Sequence, residues 1–130
     1  MRGIIIRQTT VKVQDEKDLE FIDALRSLDV PRNVAGLITY LANTNEATSR
    51  EIETGTNLRQ PEVSIAMRTL RQNNWIDEHD VKVPGKGRPM KVYKLRVLIQ
   101  EIIQHFEVEK TNKAAETMQA IQRLKELSST

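Results

Sequence analysis

The stretch Thr48-Ser49-Arg50-Glu51-Ile52-Glu53-Thr54-Gly55-Thr56-Asn57-Leu58-Arg59-Gln60-Pro61-Glu62-Val63-Ser64-Ile65 decides the fold. Its first four residues spell a capping box: the Thr48 hydroxyl accepts from the Glu51 amide, and the Glu51 carboxylate reaches back to the Thr48 amide. The helix so opened is predicted to be short, because Gly55 can take the left-handed conformation that closes a helix. After a turn through Thr56, Asn57 and Leu58, a second helix opens at Gln60-Pro61, since proline is tolerated in a first turn. It is expected to run to about Asn73, with Val63, Met67 and Leu70 on one face and Asn74 as its cap. Ile52 and Leu58 stand ready to pack the corner. A short helix, a tight turn and a longer helix make a helix-turn-helix.

Working outward toward the C-terminus, Trp75-Ile76 begins an extended segment in which Val81 and Val83 alternate with Lys82. Pro84-Gly85-Lys86-Gly87-Arg88-Pro89 is a turn, and Lys91-Val92-Tyr93-Lys94-Leu95 alternates again, so the pair reads as a β-hairpin. Its tip carries Lys86 and Arg88, with Lys82 and Lys91 just inside. A helix-turn-helix followed directly by a basic hairpin is a winged helix. The fold class expected is therefore mainly α with a small β-hairpin.

Toward the N-terminus, a helix should span about Arg32 to Leu41 with Val34, Leu37, Ile38 and Leu41 inward, ended by Asn43-Thr44-Asn45. Before it, Asp29-Val30-Pro31 breaks an earlier helix, because Pro31 lacks a donor and biases Val30 away from helical geometry. That earlier helix starts at Asp15, has Asp18 in its first turn, and shows Leu19, Ile22, Leu25 and Leu28 as an apolar stripe. Residues 1–14 suit an arm or short strand. From about Arg96 to Leu127 the chain is again helical. One stripe comprises Ile99, Ile102, Ile103 and Phe106; another comprises Ala114, Met118, Ile121 and either Leu124 or Lys125. The polar stretch Glu109 to Lys113 between them reads as a bend or a solvated turn. Little of a 130-residue chain remains to bury such a seam, so a second copy is expected to cover it. The N- and C-terminal helices would then form the dimerisation region. The organisation expected is an arm and helix at 1–29, a winged helix-turn-helix at 30–95 and a dimerisation segment at 96–130.

Composition narrows the function classes. Cysteine is absent and there are two histidines, His79 and His105, which excludes disulfides, thiolate metal sites and cysteine nucleophiles. No cluster of titratable residues has catalytic spacing, so a non-enzyme without catalytic residues, metal or cofactor is expected. No stretch approaches the ~18 consecutive apolar residues of a membrane helix, so a cytoplasmic location and no membrane partner are expected. The net charge of +2 is uneven: residues 56–96 hold nine Lys/Arg against four Asp/Glu, whereas both flanks carry an acidic excess. A polyanion or a merely solvated basic face fits that asymmetry.

Four segments carry a resemblance. They are Val30-Pro31-Arg32-Asn33-Val34-Ala35, Glu46-Ala47-Thr48-Ser49-Arg50-Glu51-Ile52-Glu53, Leu58-Arg59-Gln60-Pro61-Glu62-Val63-Ser64, and Gly85-Lys86-Gly87-Arg88-Pro89 with Val92-Tyr93. Residues 30–95 thereby resemble archaeal winged-helix transcriptional regulators, described as MarR-like, ArsR-like or TrmB-like. The resemblance implies double-stranded DNA as partner. Metal sensing is not carried over, for want of Cys and paired His, and no small-molecule effector is evident.

In such a fold the N-terminal part of the second helix approaches base edges in the major groove. The face opposite Val63, Met67 and Leu70 is expected to show Gln60, Glu62, Ser64, Ile65 and Arg68, with Pro61 at the helix start. Gln60 suits adenine and Arg68 suits guanine or phosphate. Glu62 either accepts from cytosine or serves the helix N-terminus. Ser49, Arg50, Arg59, Thr69 and Arg71 are the candidates for phosphate contact, which positions without reading sequence. Lys82, Lys86, Gly87, Arg88 and Lys91 form the candidate wing; either its tip reaches the minor groove, or it is a polar hairpin end. Trp75 is read as a core anchor rather than a base-stacking residue, and Tyr93 as packed in the hairpin. The function expected is a homodimeric, sequence-specific DNA-binding regulator; the alternative is a winged-helix adaptor that binds protein.

Overall fold

The computed structural model describes residues 14–82, 84, 85 and 87–129. The expectations for the arm at 1–13, for Val83 and for Lys86 lie outside them. Asp15 opens α1 (Glu16–Ser27) with a full capping box. The Asp18 amide donates to Asp15 Oδ1 at 2.9 Å and the Asp15 amide donates to Asp18 Oδ2 at 3.1 Å. Asp18 is buried, and its other oxygen accepts from Asn43 Nδ2 at 2.8 Å. The carboxylate is thus satisfied where it would otherwise be costly, and it ties α1 to the end of α2 (Arg32–Ala42).

The apolar stripe of α1 is narrower than expected. Ile22 and Leu25 are buried, but Leu19 and Leu28 are 53% and 38% exposed. Steps of three residues each fall about 60° short of a full turn, so a stripe with that spacing rotates off the core at both ends. The helix ends in a Schellman arrangement: the Val30 amide donates to the Leu25 carbonyl at 3.3 Å and the Asp29 amide to that of Arg26 at 2.9 Å. Asp29 takes the left-handed φ of 68° that this requires, so the stop precedes Pro31.

Every residue of α2 from Val34 to Leu41 is buried, polar Thr39 included. Thr39 remains satisfied by donating its hydroxyl to the Ala35 carbonyl at 2.8 Å. Next comes β1 (Ala47–Thr48), then α3 (Ser49–Thr56). The capping box of α3 forms as read, with the Glu51 amide 3.2 Å from Thr48 Oγ1 and the Thr48 amide 2.9 Å from Glu51 Oε1. Its end differs. Gly55 is helical and buried, and Asn57 takes the left-handed turn at φ 60°. The Thr56 hydroxyl carries the chain through: it donates to the Ile52 carbonyl at 2.6 Å and accepts the Leu58 amide at 3.2 Å. Asparagine tolerates that conformation better than most residues with a side chain.

The second helix of the motif is α4 (Gln60–Gln72), with Val63, Ala66, Met67 and Leu70 buried. Asn73 is its cap, and Asn74, at φ 60°, is the left-handed residue just beyond. The strands β2 (Ile76–Val81) and β3 (Met90–Leu95) form the hairpin. Together with β1 they make an antiparallel sheet in the order β1-β3-β2, with Ala47 opposite Tyr93 and Thr48 opposite Val92. Leu37, Ile38, Ile52, Leu70 and Val92 are all but inaccessible, so the core lies where α2, α3, α4 and β3 meet. Trp75 is buried at the helix-to-strand junction and Tyr93 is half-buried.

The chain divides into two units between Val97 and Leu98. The second holds α5 (Ile99–Ser128), a single helix of 30 residues that runs unbroken through Glu109 to Lys113. It starts later than Arg96, where the Glu101 carboxylate reaches back to the Leu98 amide at 3.1 Å. Of the first stripe, Ile102 and Phe106 are buried, Ile99 is half-buried and Ile103 is 44% exposed. No helix among the described residues is long and apolar enough to cross a membrane.

Candidate nucleic-acid interface

Successive residues of a helix advance by about 100°. With Val63, Ala66, Met67 and Leu70 inward, Pro61, Ile65, Arg68 and Gln72 fall on the crown of α4, and all four are exposed. Gln60 and Glu62 stand on opposite flanks, about 160° apart around the axis, instead of sharing the face with Ile65. Gln60 and Ser64 share one flank, where Gln60 Nε2 donates to Ser64 Oγ at 2.8 Å.

Glu62 is half-buried and occupied. Its Oε1 accepts the Arg59 amide at 2.9 Å, and its Oε2 lies 3.6 Å from Arg32 Nη1. The Glu62 carbonyl also accepts from Asn33 Nδ2 at 3.1 Å, which pins the first turn of α4 to the first turn of α2. Of the two roles read for Glu62, the geometry seats it at the helix N-terminus. A signal for this was available: Arg59-Gln60-Pro61-Glu62 carries glutamate three residues after the capping position, as Thr48 to Glu51 does.

At the other end of α4, Arg71 Nε donates to Glu78 Oε1 at 2.9 Å, and Lys91 Nζ lies 3.4 Å from Glu78 Oε2. Burial alone would raise the Glu78 carboxyl, but the hydrogen bonds and charges of Arg71 and Lys91 outweigh it and hold the group below its ordinary value. Two cations assigned to phosphate and wing thus converge on one carboxylate that clamps the last turn of α4 to the hairpin. The sequence carries the signal in the acidic residues of β2. Asp77 stands opposite Lys94 and Asp80 opposite Lys91 in the hairpin register, and Arg96 Nε lies 3.8 Å from Asp77.

Arg50, Arg59, Arg68, Lys82, Gly87 and Arg88 are exposed; Ser49 and Thr69 are half-buried. Gly85, at φ 82°, turns the loop between β2 and β3 through a conformation few other residues accept. His79 Nε2 sits 3.6 Å from Glu46, while His105 packs edge-on to Phe106 with ring centroids 5.3 Å apart. Among the described residues no group of three or more His, Cys, Asp or Glu is placed to hold a metal ion.

No family model matches the chain, and no curated protein matches its sequence. Solved structures do resemble it. A possible transcriptional regulator from Methanosarcina mazei Go1 superposes with a TM-score of 0.55 at 13% identity, covering 78% of this chain and 86% of that one. A second structure, of a transcriptional regulator, gives 0.51 at 20% identity over 78% and 68% of the two chains. MepR, a transcription regulator of the Staphylococcus aureus multidrug efflux pump MepA, gives 0.48 at 17% identity over 88% and 89%. At such identities the two stronger likenesses speak to architecture alone, and with the geometry above they make this chain a winged helix-turn-helix, mostly helical with a small three-stranded antiparallel sheet.

Proposed function

We propose that this protein is a sequence-specific, double-stranded DNA-binding transcriptional regulator of MarR-like type that acts as a homodimer. The observation that carries the reading is the exposed crown of α4, with Arg68 upon it and with Arg50, Arg59, Lys82 and Arg88 also exposed in the same unit. A helix end inserted in the major groove needs such a crown, and phosphates on either side need such cations. Both solved structures named for their superposition are described as transcriptional regulators, the first as a possible one.

The dimer rests on α5, where Met118 and Ile121 share one helical face with Ala114 and are 64% and 40% exposed. An apolar face left bare in this way is stabilised by a like face on a second copy. Two α4 helices would then read half-sites about 34 Å apart. Binding to duplex DNA across a salt series tests the proposal. Log affinity should fall with log salt by roughly 0.9 for each phosphate neutralised. A flat response would remove DNA as the partner and leave a protein-binding adaptor.

A further inference from the structure

On the proposed interface, an exposed side chain at the centre of the crown is apolar. Ile65 is 54% exposed, stands one turn beyond Pro61 and is followed on the same face by Arg68. The polar residues around it have other attachments. Gln60 Nε2 is bonded to Ser64 Oγ, and both oxygens of Glu62 are engaged, one by the Arg59 amide and the other by Arg32. Ile65 lies about 7.5 Å along the axis from Gln60, within the part of a recognition helix that enters the groove. The cations nearby in sequence, Arg59 and Arg68, suit phosphates on either side. One chemical group on the floor of a DNA major groove answers a bare, branched hydrocarbon: the C5-methyl of thymine.

We infer that Ile65 is a specificity-determining residue that reads a thymine in each half-site through its methyl group. The inference rests on the DNA-binding reading above and specifies how the site discriminates. Hydrogen-bonding groups so engaged keep their geometry before DNA arrives, so α4 presents a preformed surface. Discrimination at this position then comes from burying methyl against isoleucine, and not from a bidentate polar pair. A guanine or cytosine there offers polar edges to an apolar side chain and is rejected.

The test uses the full chain and a duplex selected from a random thymidine-containing pool. Each thymine of that duplex is then replaced in turn by deoxyuridine, which keeps the Watson–Crick edge and removes only the methyl. At one position per half-site the replacement should weaken wild-type binding about fourfold, the factor equivalent to ~0.8 kcal/mol for one buried methyl-sized group. Ile65→Ala should bind both duplexes alike. Its side chain is largely exposed, so folding is preserved, and the wild-type comparison requires no variant at all. Equal wild-type affinity for every uracil replacement would overturn the inference, as would an Ile65→Ala protein that keeps the thymine preference. Salt-dependent binding with either of those results leaves the DNA-binding reading standing while this one falls; no binding to any duplex sinks both.

Discussion

α2 and α5 are both written as apolar residues at helical spacing, yet one disappears into the molecule and the other does not. α2 is buried continuously from Val34 to Leu41, whereas α5, with 30 residues, buries Ile102 and Phe106. The difference lies in what surrounds each helix. α2 touches α1, α3, α4 and β3, so even its nominally outer positions meet neighbours. Along α5, Ala114, Met118 and Ile121 keep the spacing of a packed seam while remaining exposed. Periodicity specifies which face of a helix is apolar; the supply of neighbours decides whether that face is covered.

The largest effect expected from this contrast belongs to α2. Leu37→Ala removes a side chain with no exposure and should lower the unfolding free energy by roughly 3 kcal/mol in a urea titration. A loss below about 1 kcal/mol would show that the centre of the winged helix is far less tightly packed than its burial indicates. In α5, Met118→Glu combined with Ile121→Glu should halve the sedimenting mass, because glutamates in a paired seam are desolvated without partners. The same double variant should keep wild-type far- and near-ultraviolet dichroism, since both side chains are exposed. An unchanged mass would refute pairing through α5.

Smaller changes separate local from tertiary determinants inside the winged helix. Thr48→Ala deletes the cap of α3 and should cost about 1 kcal/mol by chemical denaturation. Asn57→Gly should cost nothing, because the left-handed turn suits glycine; a loss as large as that of Thr48→Ala would mean the Asn57 side chain has a further role. The mildest effect is in acid. The Glu78 carboxyl is held below its ordinary 4.5, so its pairing with Arg71 and Lys91 stabilises the fold above that pH and is lost as pH falls through the lowered value. Glu78→Gln should flatten that part of the acid limb of the stability curve, lowering stability slightly at neutral pH and matching wild type once the carboxyl is protonated.

Much of the fold is legible because its punctuation is local. Thr48 and Glu51 cap α3, Pro61 opens α4 in its first turn, and Pro84 with Gly85 turns the hairpin, each through interactions within a few residues. The end of α3 was not legible from Gly55. A glycine can adopt a left-handed turn but is not compelled to, and the Thr56 hydroxyl moved the turn to Asn57. The strand β1 gave no periodic signal, since Ala47 and Thr48 are too few for alternation and pair only because β3 lies beside them. The candidate interface divides in the same way. Exposure of Arg68 and Ile65 follows from the helical repeat, whereas the capture of Arg71 and Lys91 by Glu78 depends on where the hairpin comes to rest.

The order of helices, the caps of α1 and α3 and the inward face of α4 were therefore settled by the sequence alone, because backbone groups and side chains a few residues apart satisfy one another whatever the rest of the chain does. Which cations of residues 56–96 stay available was decided only in three dimensions. A carboxylate neutralises whatever the fold brings within a few ångströms, and in the finished molecule Glu78 took Arg71 and Lys91 while Asp77 took Arg96.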